Sequence, residues 1–193
     1  MMSPGYSWHG VAVAWHSSLN SFVSHLSSNC ERFAAIKVCS DKCSLLVVSL
    51  YAPTHGKDEE YLECLSYLAE FILENMSEND SLLIGADTNC SVKSSNRRQK
   101  AWNNFCENFS LTTHAGPAPT FHHHNGTSNS LIDSILTTSN LKPSRISQLC
   151  TLDSPLNLSS HDVLSLSLSV PLPQTPASKY EHTYKKFNCK KVI

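Results

Sequence analysis

Short apolar stretches rich in β-branched residues alternate along this chain with two stretches in which apolar positions recur every three to four residues. A brief apolar run or a strict alternation marks a strand, and the longer period marks a helix. Strands are predicted at Gly10–Trp15, Phe33–Val38, Leu45–Tyr51, Ser81–Ala86, Leu131–Leu136 and Val163–Leu168. The clearest helix spans Glu59–Asn75, where Tyr61, Leu62, Leu65, Leu68, Ala69, Ile72 and Leu73 form an apolar stripe. Asp58 stands where it can cap the amino end of that helix. A weaker helical pattern covers Arg98–Asn108, with Trp102, Phe105 and Phe109 as its stripe.

The strands at Phe33–Val38 and Leu45–Tyr51 are separated by a polar stretch of hairpin length, so they are expected to pair antiparallel. The order of strands and helices is therefore mixed and is no plain βαβ repeat. No internal repeat is present. From Pro171 the chain turns Pro-rich and then Lys-rich, which reads as a linker leaving one domain over residues 1–170, with a basic tail over 171–193.

Composition supports this division. At 193 residues and 40% hydrophobic content, the chain can bury one core but not two. The longest apolar stretches, such as Leu45–Leu50, are far below the roughly 18 residues of a membrane-spanning helix, and no charged leader followed by an apolar stretch opens the chain. No membrane partner is expected. Eight Cys lie scattered without paired spacing, which favours a reducing, intracellular setting over a disulfide framework. The net charge of −1 hides a division between 15 acidic and 10 basic residues over 1–178 and five Lys against one Glu over 179–193. Near-neutrality of that kind excludes no partner.

Candidate chemistry gathers at strand ends, where a rigid scaffold can aim polar groups into a cleft. The apolar run Leu82-Leu83-Ile84 gives way to Gly85-Ala86-Asp87-Thr88-Asn89, whose alternation places Asp87 and Asn89 on one side. In Leu131–Leu136 a single carboxylate, Asp133, interrupts an apolar strand, a costly placement unless it is paired. Ser159-Ser160-His161-Asp162 sits directly before the last strand, with an imidazole that titrates near neutral pH. Taken singly, each also reads as an ordinary turn, an edge residue or a loop pair.

In chain order, Tyr51-Ala52-Pro53, Gly85-Ala86-Asp87-Thr88-Asn89, Thr120-Phe121 ahead of Ile132-Asp133, and Ser159-Ser160-His161 resemble the motifs of the endonuclease/exonuclease/phosphatase superfamily. They are most similar to the apurinic-type endonuclease domain of non-LTR retrotransposon polyproteins, and the likeness runs from about Gly10 to Val170. The resemblance implies an α/β, four-layer DNase I-like sandwich: two packed, mainly antiparallel β-sheets flanked by helices. It implies hydrolysis of DNA phosphodiester bonds with Mg²⁺, a nuclear setting for a DNA substrate, and a downstream reverse transcriptase to which Tyr184–Asn188 resembles the linker. By the same likeness, Tyr51 holds the scissile phosphate, and Asp87 orients or deprotonates the attacking water. Asn89 donates to the phosphoryl oxygens, and His161 binds a nonbridging oxygen with Asp133 fixing its tautomer.

The chain departs from the family pattern at several positions. Ala86 is inserted before Asp87, Thr54 follows the Tyr-x-Pro where Asn is frequent, and Ser160 stands at the expected Asp. Asp162 lies on the other side of His161, and alternation along an extended chain keeps it from substituting. The family's metal-holding Glu and an Asn belong to strands upstream of the one predicted at Gly10, and Met1–His9 contain neither. The domain is thus expected to lack its first strands and its principal metal ligand, and so to hydrolyse weakly or not at all. Two other readings remain: a same-fold phosphatase or exonuclease acting on another phosphoester, and a non-catalytic DNA-binding relic.

Other features point to no additional chemistry. His122-His123-His124 with His114, Cys90 and Cys106 lack zinc-ligand spacing and read as a polar loop. The basic cluster Asn96–Lys100 reads equally as a solvated helix start and as a contact to DNA backbone.

Overall fold

A computed structural model describes residues 10–41, 43–54, 56–91, 96–123, 126, 128–149 and 159–169. Its centre is a six-stranded sheet in the order β1-β2-β3-β4-β8-β5, built from β1 (Val23–Leu26), β2 (Phe33–Ser40), β3 (Cys43–Tyr51), β4 (Ser81–Asp87), β5 (Leu111–Ala115) and β8 (Asp133–Thr138). Only β3 and β4 pair in parallel, and every other neighbour in this sheet is antiparallel. The hairpin expected between β2 and β3 is present. Both strands run further into the polar stretch than the apolar pattern implied, until Ser40 pairs with Cys43.

The parallel pair needs a crossover, and α1 (Asp58–Asn75) supplies it. It buries Tyr61, Cys64, Leu65, Leu68, Phe71 and Ile72, so the stripe is centred differently from the one predicted, and Leu73 is left exposed. Asp58 does not cap the helix as expected. It is the first helical residue, the N-cap is Lys57 without a side-chain cap bond, and the carboxylates of Asp58, Glu59 and Glu60 instead complement the helix dipole. The second helix, α2 (Arg97–Asn108), starts where Asn96 accepts a hydrogen bond from the Gln99 N–H at 2.9 Å. Trp102 stacks on Phe105, and Phe105 leans on Phe109, joining the predicted aromatic stripe to the core.

Both helices cover one face of the six-stranded sheet. On that face Phe33, Val48, Leu50, Leu82, Ile84 and Leu136 meet Tyr61, Leu68, Ile72 and Trp102 in the main core. The opposite face carries a smaller cluster of Ile36, Val38, Leu45 and Leu141, with Val47, Leu83 and Leu168 packed against it. Leu168 belongs to β10 (Val163–Leu168), which pairs antiparallel with β9 (Pro143–Leu149) as a two-stranded sheet over this second face. A third, minimal sheet joins β6 (Phe121–His122) to β7 (Asn129–Ser130).

Gly10–Trp15 is not a strand. Val11 and Val13 are half-buried between exposed Ala12 and Ala14, and Val13 packs on the second cluster, but the segment has no ladder partner among the described residues. Its alternation encodes one-sided burial, and a ladder also requires a neighbouring backbone. Strand β8 begins two residues later than predicted, because Ile132 and Leu131 leave the sheet to form the loop beside the site. Five short or polar strands, β1, β5, β6, β7 and β9, carried too weak a pattern to be predicted. The boundary expected near residue 170 and the basic tail fall outside the described residues.

Candidate active site

Register assembles the site. Tyr51 at the end of β3 lies beside Asp87 at the end of β4, and Asp87 lies beside Asp133 at the start of β8. Alternation places this row on the same face as Val47 and Leu83, away from the helices. The three polar groups continue an apolar column to its open end. There they line a groove of about 420 Å³ between the sheet, the Gly10–Ala12 segment and Leu164 of β10.

His161 reaches the row from the loop before β10. Its Nδ1 lies 3.0 Å from Asp133 Oδ2 and 3.2 Å from Oδ1, and its ring packs 4.8 Å from the Phe121 ring. Hydrogen bonding to Asp133 raises the His161 pKa, against the opposing effect of burial. Thr120, fully buried, explains the Thr-Phe motif in physical terms. Its hydroxyl accepts from the Ile132 and Asp133 N–H groups, and its carbonyl accepts from the Asp162 N–H at 2.7 Å. One side chain and its carbonyl thus link the loop carrying Asp133 to the loop carrying His161.

Asp87 is held as tightly. The Asn89 N–H donates to Asp87 Oδ1 at 3.0 Å, and Asn89 adopts φ 45°, a left-handed conformation that Asn tolerates better than most residues. Asn89 Nδ2 donates to the Ala52 carbonyl at 2.8 Å, so one of its two amide hydrogens is already engaged. Thr88 faces the other way, is buried, and donates through its hydroxyl to Ile132 O at 2.8 Å. Burial pushes the Asp87 carboxyl up to about 6. Asp133 adds to that rise, while the Asn89 N–H and His161 oppose it.

Ligand atoms of Asp87, Asp133 and His161 all lie within 4.8 Å of one another. Two carboxylates facing each other, one of them held against ionisation by burial, form a donor set that a divalent cation relieves, and the open groove leaves room for water to complete its shell. The residues present therefore fit such an ion. Ser160 is not part of the cluster: its carbonyl accepts from the His122 N–H at 2.9 Å. Asp162 points elsewhere, and its Oδ2 lies 3.2 Å from His122 Nε2 in a part-buried second pair.

The structure thus brings together Tyr51, Asp87, Asn89, Asp133 and His161, five positions named from sequence. Two supports were not assigned from sequence: Thr120, named only as part of a motif and without a role, and Arg98. Arg98 was grouped with the surface cluster at Asn96–Lys100, yet it is buried against Tyr61, while Arg97 pairs with Glu59 at 2.6 Å. A signal was available. Arg98, Trp102, Phe105 and Phe109 lie at helical spacing, which puts Arg98 on the buried stripe.

A mixed sheet backed by helices on one face, a second sheet on the other and an acidic row at the strand ends define an endonuclease/exonuclease/phosphatase domain of DNase I-like fold. The profile of the endonuclease-reverse transcriptase family matches residues 45–164, and the chain belongs to that family. Among solved structures it is similar to the endonuclease domain of TRAS1, a telomere-specific non-LTR retrotransposon, with TM-score 0.58 and 16% identity over 77% of this chain and 70% of that one. It is also similar to NExo, a 3′ phosphatase from Neisseria bound to a product DNA hairpin, with TM-score 0.56 and 15% identity over 77% of this chain and 70% of that one. An endonuclease/exonuclease/phosphatase from Bacteroides vulgatus gives TM-score 0.56 and 18% identity over 74% of this chain and 57% of that one. Identities this low establish the fold alone, and the chain spans between 57% and 70% of the length of these structures. No curated protein sequence matches significantly. No helix among the described residues is long and apolar enough to cross a membrane.

Proposed function

We propose that the chain is a retrotransposon-type endonuclease domain that nicks DNA by hydrolysing a phosphodiester bond. The observation carrying this reading is the in-register row Tyr51–Asp87–Asp133 with His161 bound to Asp133. A phosphate in the groove would lie beside Tyr51, Asp87 and Asp133, with His161 bound to Asp133. Asp87, with its pKa near 6, is largely ionised at neutral pH and can orient a water molecule or take its proton. Water oxygen attacks phosphorus, and the bond from phosphorus to the leaving 3′ oxygen breaks.

Asn89 has one amide hydrogen left to donate to the phosphoryl oxygens as charge builds there. His161, oriented through its Nδ1 by Asp133, binds a nonbridging oxygen with its other ring nitrogen, and the Tyr51 hydroxyl donates to the same phosphate. Asp87 and Asp133 would hold a divalent ion, Mg²⁺ in this reading, which supplies charge neutralisation for the phosphate and the leaving oxygen. Only these two carboxylates approach the cation position among the described residues, so slow turnover is expected. A reverse transcriptase in the same polyprotein and a nuclear setting follow from the same reading.

Supercoiled-plasmid nicking in Mg²⁺ tests it. The expected result is slow conversion to open circles that disappears in Asp87→Ala. DNA binding without any Asp87-dependent nicking would replace this reading by that of a non-catalytic relic. Phosphate release from a 3′-phosphorylated oligonucleotide in place of nicking would make the chain a phosphatase of the same fold.

A further inference from the structure

Arg98 enters neither the groove nor the surface that DNA would touch, yet it is bound to both loops that carry the site. Its side chain is 2% exposed. The guanidinium lies over the Tyr61 ring at 4.2 Å and donates through Nη1 to the Asn89 carbonyl at 3.3 Å. Through Nη2 it donates to the Pro53 carbonyl, and its Nε lies 3.7 Å from Asp58 Oδ1. Pro53 follows β3 and Tyr51, whereas Asn89 follows β4 and Asp87. A planar fork with two separated donors can join two carbonyls at once while its flat face stacks on an aromatic ring.

We propose that Arg98 is a positioning residue for the active site. By clamping the Pro53 and Asn89 carbonyls together, it holds Asn89 in its left-handed conformation, so that the Asn89 N–H points at Asp87 Oδ1 and the Asn89 amide reaches Ala52. The inference deepens the nuclease reading and rests on it for its catalytic consequence, but its structural content stands on this geometry alone. Lysine cannot replace the fork, because a single ammonium on a flexible stem reaches one carbonyl and loses the stacking.

Amide NMR spectra of wild type, Arg98→Lys and Asp58→Ala test the clamp without recourse to activity. The Asn89 N–H, bonded to a carboxylate in the wild type, is expected to lose that environment and shift upfield in Arg98→Lys. The half-exposed Asp58→Ala change, which does not threaten folding, is expected to move the same resonance less and in the same direction. An Asn89 resonance unmoved in both folded variants overturns the proposal. In nicking assays kcat is expected to fall by about ten- to a hundredfold in Arg98→Lys with KM nearly unchanged. A wild type that never nicks DNA defeats the nuclease reading, whereas the NMR result alone decides the clamp.

Discussion

Two histidine–aspartate pairs lie close to Thr120, similar in chemistry and different in consequence. His161 meets Asp133 at 3.0 Å and His122 meets Asp162 at 3.2 Å. Both carboxylates sit near the Thr120 hub, one through its own N–H to the Thr120 hydroxyl and the other through its N–H to the Thr120 carbonyl. What separates them is what else is near. The Asp133 pair opens into the groove beside Asp87, so three ligating groups converge. The Asp162 side chain is 2% exposed, and its imidazole partner is flanked on the other side by Asn129 Oδ1 at 3.3 Å, with no second carboxylate beside it among the described groups that could hold an ion. A histidine–aspartate pair therefore marks a site only where a third group and an opening accompany it.

Removing each aspartate separates the pairs most sharply. Asp133→Ala is expected to reduce nicking by at least about ten- to a hundredfold, the loss expected when the group that orients a site histidine is removed. Asp162→Ala is expected to change kcat by less than tenfold and to lower stability to urea by about 1 kcal/mol, since it removes a part-buried hydrogen bond. An equal loss of activity from the two changes, both proteins being folded, would erase the distinction.

Asp87→Asn should move stability in the opposite direction. The folded-state pKa of Asp87 lies above the model-peptide value of 3.8, so its contribution to stability is present below that value and is lost as pH rises through about 6. Above pH 6 the ionised carboxylate is a liability. The Asn variant is expected to be inactive and more stable than wild type at pH 7, by on the order of 1–3 kcal/mol. Urea unfolding at pH 7 and pH 4 checks the sign, because the gain should vanish at the lower pH. The same protonation predicts that kcat/KM falls as pH drops below about 6.

The site was legible in the sequence to the extent that its residues end or begin strands. Asp87 follows a continuous apolar run, Asp133 breaks another, and His161 precedes the last strand, so each position could be named one by one. Register between strands distant in sequence aligns Tyr51, Asp87 and Asp133, and no local pattern encodes it. The supports were hidden for a related reason. Thr120 acts through hydrogen bonds to residues 12 and 13 positions away, and Arg98 reads as surface by residue type although its helical spacing places it inside. The fold showed the same division. Strands β2, β3, β4 and β10 were strongly patterned, whereas β1 and β5 lie at the edges of the sheet, where one-sided pairing tolerates polar residues such as Ser24, His25, Thr112 and Thr113. Gly10–Trp15 failed in the reverse sense, since its alternation is genuine but no described neighbour supplies a ladder.

The smallest expected effect sharpens the comparison furthest, because it isolates the cation from the reaction. If Asp87 and Asp133 hold a divalent ion, binding to the folded state alone raises the melting temperature by mass action. At pH 7.5 both carboxylates are available and the rise should reach several degrees in millimolar Mg²⁺ or Mn²⁺. At pH 5 Asp87 is mostly protonated, so a cation must first displace its proton and the rise should shrink. Asp87→Asn should abolish it at both pH values, and Asp162→Asn should leave the difference between them intact. A rise that persists in Asp87→Asn would move the cation away from the strand-end row, and with it the physical reason why one histidine–aspartate pair is a site and the other is not.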